Sequence, residues 1–262
     1  MKIMKKLITA LVLSLLIPTS LFAAEKTITI GVTPFPHKEI MVLVGDILKK
    51  EGYELKIKEF TDYVTPNTAL SEGSLDANFF QHVPYLENTN KEKGLDLVWV
   101  AKVHIEPLGL YSKKIKKLDE LKKGARIAIP NDATNCSRAL RLLEKNGLIK
   151  VKQGELVTAR DITENPKGVK ISEIEAAQLP RTLPDVDASV INTNFAVEAG
   201  LIPAEDAIVT EGKDSPYANV IAVRSADKES LAIKALIKAA NSPEVKKYIE
   251  TELVPKGIVP AF

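Results

Sequence analysis

Strand-like and helix-like patterns alternate along most of the chain, and this alternation restricts the possible folds more than any other feature of the sequence. Residues 27–32 and 53–60 place apolar side chains at every second position, as half-buried strands do. Between them, residues 38–51 repeat apolar side chains at the spacing of a helix. Two further helices are predicted at the C-terminus, over 228–240 and 243–253. The alternation predicts an α/β architecture with mostly parallel sheets.

The same signals predict the remaining elements. Further strands are expected at 95–103, 126–130, 169–171, 188–191 and 220–223, and further helices at 83–93 and through Leu140, Leu142 and Leu143. Gly147 is expected to end the second of these helices. No internal repeat, low-complexity tract or flexible linker divides the sequence into halves.

The first 24 residues have the pattern of a secretory signal peptide. Lys2, Lys5 and Lys6 precede a largely apolar run over 7–16, and Ala23-Ala24 supplies small residues for cleavage. This run is about half of the roughly 20 residues that a membrane-spanning helix needs. We therefore expect residues 1–24 to be removed, and the remainder to act outside the cytoplasm.

The charge balance argues against a nucleic-acid partner. Without residues 1–24 the 36 Lys and Arg fall by three to 33, against 34 Asp and Glu, so the net charge is about −1. Binding nucleic acid requires clustered positive charge, which this sequence lacks. Cys136 is the single cysteine, so no intramolecular disulfide can form and the fold depends on its hydrophobic core.

Polar and aromatic residues cluster where the predicted strands end, which is where α/β folds place their ligand sites. Six such stretches occur, at 33–37, 62–67, 78–82, 131–135, 192–195 and 215–219. Alternation along the third stretch directs Phe79 and Phe80 to opposite faces of a strand. One of the two is therefore expected in the core, and the other can line a pocket.

The fourth stretch opens a predicted helix. Asp132 or Thr134 can cap its N-terminus, whose free N–H groups suit an anion. Arg138 follows about one turn later and could donate two parallel hydrogen bonds to a carboxylate. An ordinary capped helix with a surface arginine is the alternative.

Asn192, Asn194 and Asn219 flank two other predicted strands. Amide side chains can accept hydrogen bonds from a ligand ammonium and donate them to a carboxylate. Asparagine also favours turns, so a purely structural role stays open for each of the three.

Five motifs, in this order, resemble the methionine-binding lipoprotein family of ABC importers, the NlpA/MetQ type. They are Asp62-Tyr63-Val64 with Pro66-Asn67, the segment from Asp76 to Leu86, the segment from Ile129 to Leu140, Ile191-Asn192-Thr193-Asn194, and Ser215-Pro216-Tyr217-Ala218-Asn219. The resemblance implies a two-lobed, periplasmic-binding-protein-like (type II) α/β fold with a ligand cleft between the lobes. Lobe 1 would comprise 25–106 and 218–262, and lobe 2 would comprise 107–217.

The resemblance also implies a function without catalysis or a cofactor. The protein would be a monomeric solute-binding protein that captures L-methionine, with D-methionine a further candidate, and delivers it to a membrane permease. Another amino acid or a methionine-containing dipeptide is the alternative ligand. On matching positions, Arg138 would pair with the ligand carboxylate. Asn194 and Asn219 would contact the ammonium and the carboxylate, and Asn192 is a further candidate for these contacts. The thioether side chain would be surrounded by Tyr63, Phe80 and His82, because its sulfur packs well on aromatic rings.

The chain departs from the family pattern at two places. The family usually carries a lipidated cysteine just after the signal, whereas Leu21-Phe22-Ala23-Ala24 has alanine there. The sequence therefore predicts a soluble periplasmic protein after cleavage. The second departure is Cys136-Ser137, where small or aliphatic residues are more usual; Cys136 is expected to be a small buried residue, although it could face the cleft.

Two other classes of function stay open. A thiol near a helix N-terminus can act as a nucleophile, so Cys136 with a base such as His82, His37 or His104 would suit a secreted hydrolase. A metal-binding importer component would need ligands at short spacing, and the scattered histidines do not provide it. We therefore predict neither catalytic nor metal-binding residues.

Overall fold

The computed structural model describes residues 26–212 and 215–262. The predicted signal segment, 1–24, lies outside these residues. The strands are β1 (Lys26–Val32), β2 (Tyr53–Glu59), β3 (Ala77–His82), β4 (Leu97–Ile105), β5 (Gly109–Tyr111), β6 (Arg126–Pro130), β7 (Lys150–Val151), β8 (Ile162–Glu164), β9 (Lys170–Ile174), β10 (Ala188–Ile191), β11 (Val209–Thr210), β12 (Ala218–Arg224) and β13 (Val259–Pro260). The helices are α1 (Glu39–Lys50), α2 (Thr65–Ser71), α3 (Val83–Lys93), α4 (Ala133–Lys145), α5 (Leu179–Thr182), α6 (Thr193–Glu198), α7 (Pro203–Asp206), α8 (Leu231–Ala240) and α9 (Pro243–Tyr248).

Two main sheets organise these elements. The first has six strands in the order β13-β4-β12-β3-β1-β2, and the second has five in the order β11-β5-β10-β6-β9. The chain leaves the first sheet after Ile105 and enters the second at Gly109. It leaves the second sheet after Thr210 and rejoins the first at Ala218. The α/β, two-lobed prediction of fold class is thus confirmed.

The expectation of mostly parallel sheets is wrong. In the first sheet β1 pairs in parallel with β2 and β3, but β12 runs antiparallel to β3 and β4, and β13 runs antiparallel to β4. The second sheet is parallel at β10–β6 and β6–β9 and antiparallel where β5 pairs with β10 and β11. Parallel pairs follow from strand–helix–strand crossovers. The antiparallel pairs in the first sheet instead involve β12, which enters that sheet from the second one, and β13, which lies at the edge of the sheet beside β4.

The first sheet has a core on each face. On one face, Ile28, Ile30 and Val32 of β1 pack with α1, α8 and α9, as the period of two predicts. On the other face, Leu70, Leu75 and Leu86 of the α2–α3 region form a second cluster. A Cβ at Gly31 would lie 2.6 Å from Leu75 Cδ1, so glycine at this position allows that cluster to approach β1.

The second sheet is covered in the same way. Leu140 and Leu143 of α4 pack with Ile127 and Ile129 of β6 on one face. The short helices α5 and α6 cover the other face. Gly147 follows α4 at φ +74°, a conformation that favours glycine, so the predicted helix stop is confirmed.

The predicted elements agree with the structure apart from their boundaries. The helix expected over 228–240 begins at Leu231, because the Ser230 hydroxyl caps it by accepting from the Ile233 N–H. The helix expected over 243–253 is α9 followed by a π-helical turn, Ile249–Leu253. None of the helices in the described ranges combines the length and apolar character needed to cross a membrane.

Candidate functional site

A cavity of about 350 Å³ lies between the two sheets, within the size range of small-ligand sites. It is lined by residues that lie within or directly after strands of both sheets and by the N-terminal turns of α4 and α6. All seven residues predicted for the site line it: Tyr63, Phe80, His82, Arg138, Asn192, Asn194 and Asn219. Their contact with a ligand stays a prediction, but the structure brings them to one place.

One part of the cavity wall is aromatic. Tyr63 lies with its ring centroid 6.0 Å from those of Phe80 and Tyr85, and 5.0 Å from that of Phe195. Phe80 lines the cavity, whereas Phe79 is fully buried in the core of the first sheet. The prediction that these two neighbours divide between core and pocket is confirmed. This wall offers flat apolar faces to an apolar side chain.

The start of α4 is built as the sequence predicts. Asp132 caps the helix, its carboxylate accepting from the Asn135 N–H at 2.9 Å. The same carboxylate accepts from Asn135 Nδ2 at 3.1 Å to each oxygen. Asn135 Oδ1 is therefore turned away from Asp132 and lies 3.0 Å from Asn192 Nδ2 and 3.2 Å from His82 Nε2. The cap thus orients polar groups on both sides of the cleft.

Arg138 is buried, and its guanidinium is already paired within the protein. Its Nε and Nη2 donate to the two carboxylate oxygens of Glu211 at 2.7 and 2.5 Å, and Nη2 also donates to the Glu106 carbonyl at 2.7 Å. Its guanidinium stacks on the Tyr217 ring at 4.3 Å. Within the described residues no hydrogen bond uses Nη1, which leaves that group for a ligand. The alternative of a surface arginine is wrong.

The asparagines carry unpaired polar atoms. Asn192 Oδ1 and Asn194 Nδ2 are buried and find no hydrogen-bond partner within the described ranges. Asn194 Oδ1 accepts from the Tyr63 hydroxyl at 2.6 Å, and Asn219 Oδ1 lies 3.2 Å from His37 Nε2. Buried polar groups normally have hydrogen-bond partners, so two polar atoms without partners beside a cavity indicate a ligand that supplies those partners.

A buried cluster of His37, His104 and Glu106 forms one side of the site, and sequence reasoning did not single out Glu106. Glu106 Oε1 lies 2.7 Å from His104 Nε2 and 3.4 Å from His37 Nε2, and Oε2 accepts from the Asn194 N–H at 3.0 Å. Burial raises the pKa of Glu106 and lowers the pKa of His37 to about 4 and of His104 to about 3. The sequence did contain a signal for Glu106, because it is a charged residue placed directly after the mostly apolar strand β4.

His37, His104 and Glu106 are also the group of described residues that could hold a metal ion, their ligand atoms lying within 4.8 Å of one another. Spacing along the sequence could not reveal this group, because the fold assembles it. Ligands of tetrahedral zinc, each about 2.0–2.1 Å from the metal, lie about 3.3 Å apart. The 2.7 Å contact of His104 with Glu106 is shorter and has the length of a hydrogen bond.

Cys136 faces the core of the second sheet and does not line the cavity. Burial and the nearby Glu173 raise the pKa of its thiol to about 12. The pKa of His82 falls to about 3, with burial as the main cause. A thiol that stays protonated cannot attack a substrate, so the pairing of Cys136 with His82 as nucleophile and base has no support.

The model of the family described as NlpA lipoprotein matches residues 28–262 of this chain. Outer membrane lipoprotein 3 of Mannheimia haemolytica is 48% identical over 248 residues, which cover 94% of each chain. The D-methionine-binding lipoprotein MetQ of Salmonella typhi is 48% identical over 223 residues, which cover 83% of this chain and 82% of that protein.

Solved structures show the same similarity. A nutrient-binding protein from Burkholderia cenocepacia, bound to methionine, superposes with a TM-score of 0.87 at 49% identity, covering 90% of this chain and 100% of that chain. The methionine-binding protein MetQ superposes with a TM-score of 0.86 at 43% identity, covering 90% of this chain and 98% of that chain.

Replacing Glu211 by alanine is expected to lower the free energy of unfolding by about 3–5 kcal/mol, because it leaves the buried Arg138 without its counter-charge. The matched control is Glu164→Ala, which removes the exposed pair with Lys150 and should cost less than about 1 kcal/mol. Urea unfolding measures both. Equal losses for the two variants would contradict a structural role for the Arg138–Glu211 pair.

The three histidines are expected to stay neutral in the folded protein well below their ordinary pKa of 6.5. The unfolded chain then binds more protons from pH 6.5 down to about pH 4 for His37 and about pH 3 for His82 and His104. Stability therefore falls as the pH falls through these windows, by about 1.4 kcal/mol per histidine at pH 5.5. The raised pKa of Glu106 has the opposite effect, because it makes the stability rise as the pH falls. Proton NMR of the tag-free protein has three histidine ring signals to follow, and any signal that titrates near pH 6.5 would contradict the expectation.

Proposed function

Because the chain belongs to the NlpA lipoprotein family, we propose that it is a solute-binding protein that captures methionine and delivers it to the permease of an ABC importer. The observation that carries this proposal is the cavity between the two sheets, with aromatic faces on one part of its wall and unpaired polar groups on another. The family is one of substrate-binding lipoproteins and not of enzymes. The related proteins named for D-methionine, and the related structure bound to methionine, support this ligand class.

We assign the two parts of the wall to the two parts of the ligand. The thioether side chain packs among Tyr63, Phe80 and His82, because a flexible, polarisable chain adapts well to aromatic faces. The ligand carboxylate accepts from Arg138 Nη1 and Asn194 Nδ2, the donors that the protein leaves unused. The amino group lies near the side-chain oxygens of Asn192 and Asn219. A different amino acid or a methionine-containing dipeptide is the alternative ligand for the same anchor.

Binding is coupled to closure of the two lobes. Contacts already cross the cleft: the Tyr63 hydroxyl donates to Asn194, and His82 lies against Asn135. A ligand held from both sides favours this closed arrangement to the extent that it binds it better than the open one. The permease then distinguishes closed from open protein. We place the lobe boundaries at 106/107 and 217/218, within the two segments that connect the sheets, and we propose a monomer.

The protein acts outside the cytoplasm, as its family does. We further propose that it is soluble in the periplasm, since Ala24 stands where the lipidated cysteine would be expected.

Isothermal titration calorimetry with L-methionine, D-methionine and glycyl-methionine tests the ligand class, and native mass spectrometry of freshly purified protein tests whether a ligand is retained. The double variant Arg138→Gln/Glu211→Gln removes the guanidinium without leaving Glu211 as an unpaired charge. It is expected to lose roughly 30- to 150-fold in affinity, the equivalent of one charge-assisted hydrogen bond of about 2–3 kcal/mol.

The control for this variant is Arg141→Gln, an arginine of the same helix that bonds Glu144 and the carbonyls of Lys152 and Gly154. Its affinity should equal that of the wild type. Unchanged affinity in the double variant would refute the carboxylate assignment, whereas absence of binding by the wild type would refute the function.

Solubility is tested by metabolic labelling with a fatty-acid analogue in a Gram-negative host. The wild-type protein, isolated after labelling, should carry no label. An Ala24→Cys variant restores a cysteine at the expected position and should become labelled if the rest of the signal is competent. Label on the wild-type chain would overturn the proposal of a soluble protein.

A further inference from the structure

We infer that a network of three buried amides holds a β-bulge in β3, and that this bulge positions the aromatic wall that receives the ligand's side chain. The amides belong to Asn67 of α2 and to Asn78 and Gln81 of β3. The role rests on the proposed function, because it concerns the part of the cavity assigned to the thioether. It adds to that function the residues that decide how tightly an extended side chain is held.

The bulge lies at Phe80, in the pairing of β3 with the antiparallel strand β12. Along β12, Val220 and Ile221 are consecutive. Their partners on β3 are Gln81 and Phe79, so Phe80 between them is the extra residue of a bulge. The Phe80 side chain lines the cavity. Bulges are common beside functional sites, where they re-aim a side chain that the regular ladder would direct elsewhere.

The hydrogen bonds of β3 show the same irregularity. In a regular strand, two residues three positions apart point to opposite faces of the sheet. Gln81 Nε2 nevertheless donates to Asn78 Oδ1 at 3.0 Å, so these two side chains lie on one side of the strand. The extra residue between them makes this contact possible. A regular β3 would separate the two amides and break the bond, so the bond and the bulge depend on each other.

Asn67 completes the network from α2. Its Oδ1 accepts from Asn78 Nδ2 at 2.8 Å and from Gln81 Nε2 at 2.7 Å, and its Nδ2 donates to Gln81 Oε1 at 2.8 Å. Asn78 Nδ2 also donates to the Pro66 carbonyl at 3.2 Å. The three amide residues are at most 3% exposed, and each of their side-chain oxygens and nitrogens has a partner. A buried amide is costly unless it is paired, and a fully paired network specifies one arrangement of the elements that carry it.

The network thereby places two of the aromatic faces. Through β3 it sets the direction of Phe80, and through α2 it sets the position of Tyr63. Tyr63 directly follows Asp62, whose carboxylate accepts from the Thr65 N–H at 2.7 Å and so joins this segment to the start of α2. The Tyr63 ring centroid lies 6.0 Å from that of Phe80, and its hydroxyl reaches Asn194 across the cleft.

The test replaces the whole network, in the variant Asn67→Leu/Asn78→Leu/Gln81→Met, so that no amide of the three is left buried without its partners. The control is Asn90→Leu, an asparagine of α3 whose Nδ2 donates to the Leu97 carbonyl at 2.6 Å and which does not line the cavity. Calorimetry measures binding of L-methionine and of L-2-aminobutyrate, which keeps the amino-acid group but has hydrogen in place of the methylthio group. Crystal structures of the variants show the course of β3.

The triple variant is expected to bind methionine about 10-fold more weakly, a loss on the scale of one sulfur–aromatic contact, and to change by less than about 2-fold for 2-aminobutyrate. Asn90→Leu should leave both affinities within about 2-fold of the wild type. Phe80→Leu should also cost about 10-fold for methionine. Because the network acts through Phe80, adding Phe80→Leu to the triple variant should cost little more than either change alone. If the triple variant does not fold, Gln81→Met alone is expected to give the same pattern.

Three results would overturn the inference. Equal losses for methionine and 2-aminobutyrate would show that the network supports the fold and not the aromatic wall. Losses that multiply to about 100-fold when Phe80→Leu is added would show that the network does not act through Phe80. A triple variant that keeps the bulge and the methionine affinity would show that the amides are not needed for either.

A wild type that does not bind methionine would refute the proposed function instead. The crystal structure of the triple variant would then still decide whether the amides hold the bulge, so the two failures are distinguishable.

Discussion

The buried ion pair between Arg138 and Glu211 joins the parts of the molecule on which the cleft depends. Arg138 comes from α4 of the second sheet, and Glu211 lies in the segment that returns to the first sheet. The same pair reaches the outward crossing, because Arg138 donates to the Glu106 carbonyl and Glu211 accepts from the Leu108 N–H at 3.0 Å. Both connections between the lobes are thus tied to one helix. A bidentate pair is suited to this task because its two parallel hydrogen bonds fix orientation as well as distance.

The polar wall of the cleft combines well-satisfied groups with a few that are not. Asp132, Asn135 and Glu211 have their hydrogen bonds provided by the protein, and they hold their neighbours in defined orientations. Asn192 Oδ1 and Asn194 Nδ2 lack such partners within the described residues. Local departures from full hydrogen bonding tend to occur at functional sites, where the rest of the structure compensates for them.

Burial also determines the charge of the cleft. His37, His82 and His104 are all buried, and desolvation favours their neutral forms. Three imidazoles that stay neutral add hydrogen-bonding capacity without adding positive charge. The site therefore combines the Arg138–Glu211 ion pair and the Glu106 carboxyl group, whose pKa is raised by burial, with amide side chains held in defined directions. That arrangement suits a zwitterion, whose two charges are close together and opposite.

The sequence by itself determined the elements and many of the residues of this site. Periodicity located β1, α1 and β2 to within a residue or two, because a half-buried element must repeat its apolar side chains at its own period. Alternation divided Phe79 from Phe80 between core and cavity, and the Asp132 cap followed from local hydrogen bonding alone. The seven site residues were predicted from polar and aromatic clusters beside the predicted strands together with the family resemblance, and the structure brings them to one cavity.

Only the tertiary structure decided which groups face one another. The antiparallel β12 follows from a chain that crosses between lobes and returns, and no local pattern records that path. Glu106 contacts His37, Arg138 pairs with Glu211, and Cys136 turns into a core, although each of these relations spans a distance in sequence that carries no periodic signal. Charge matching is a property of neighbours in space. The sequence therefore supplied the functional groups, and the fold decided which were satisfied within the protein and which were left to a ligand.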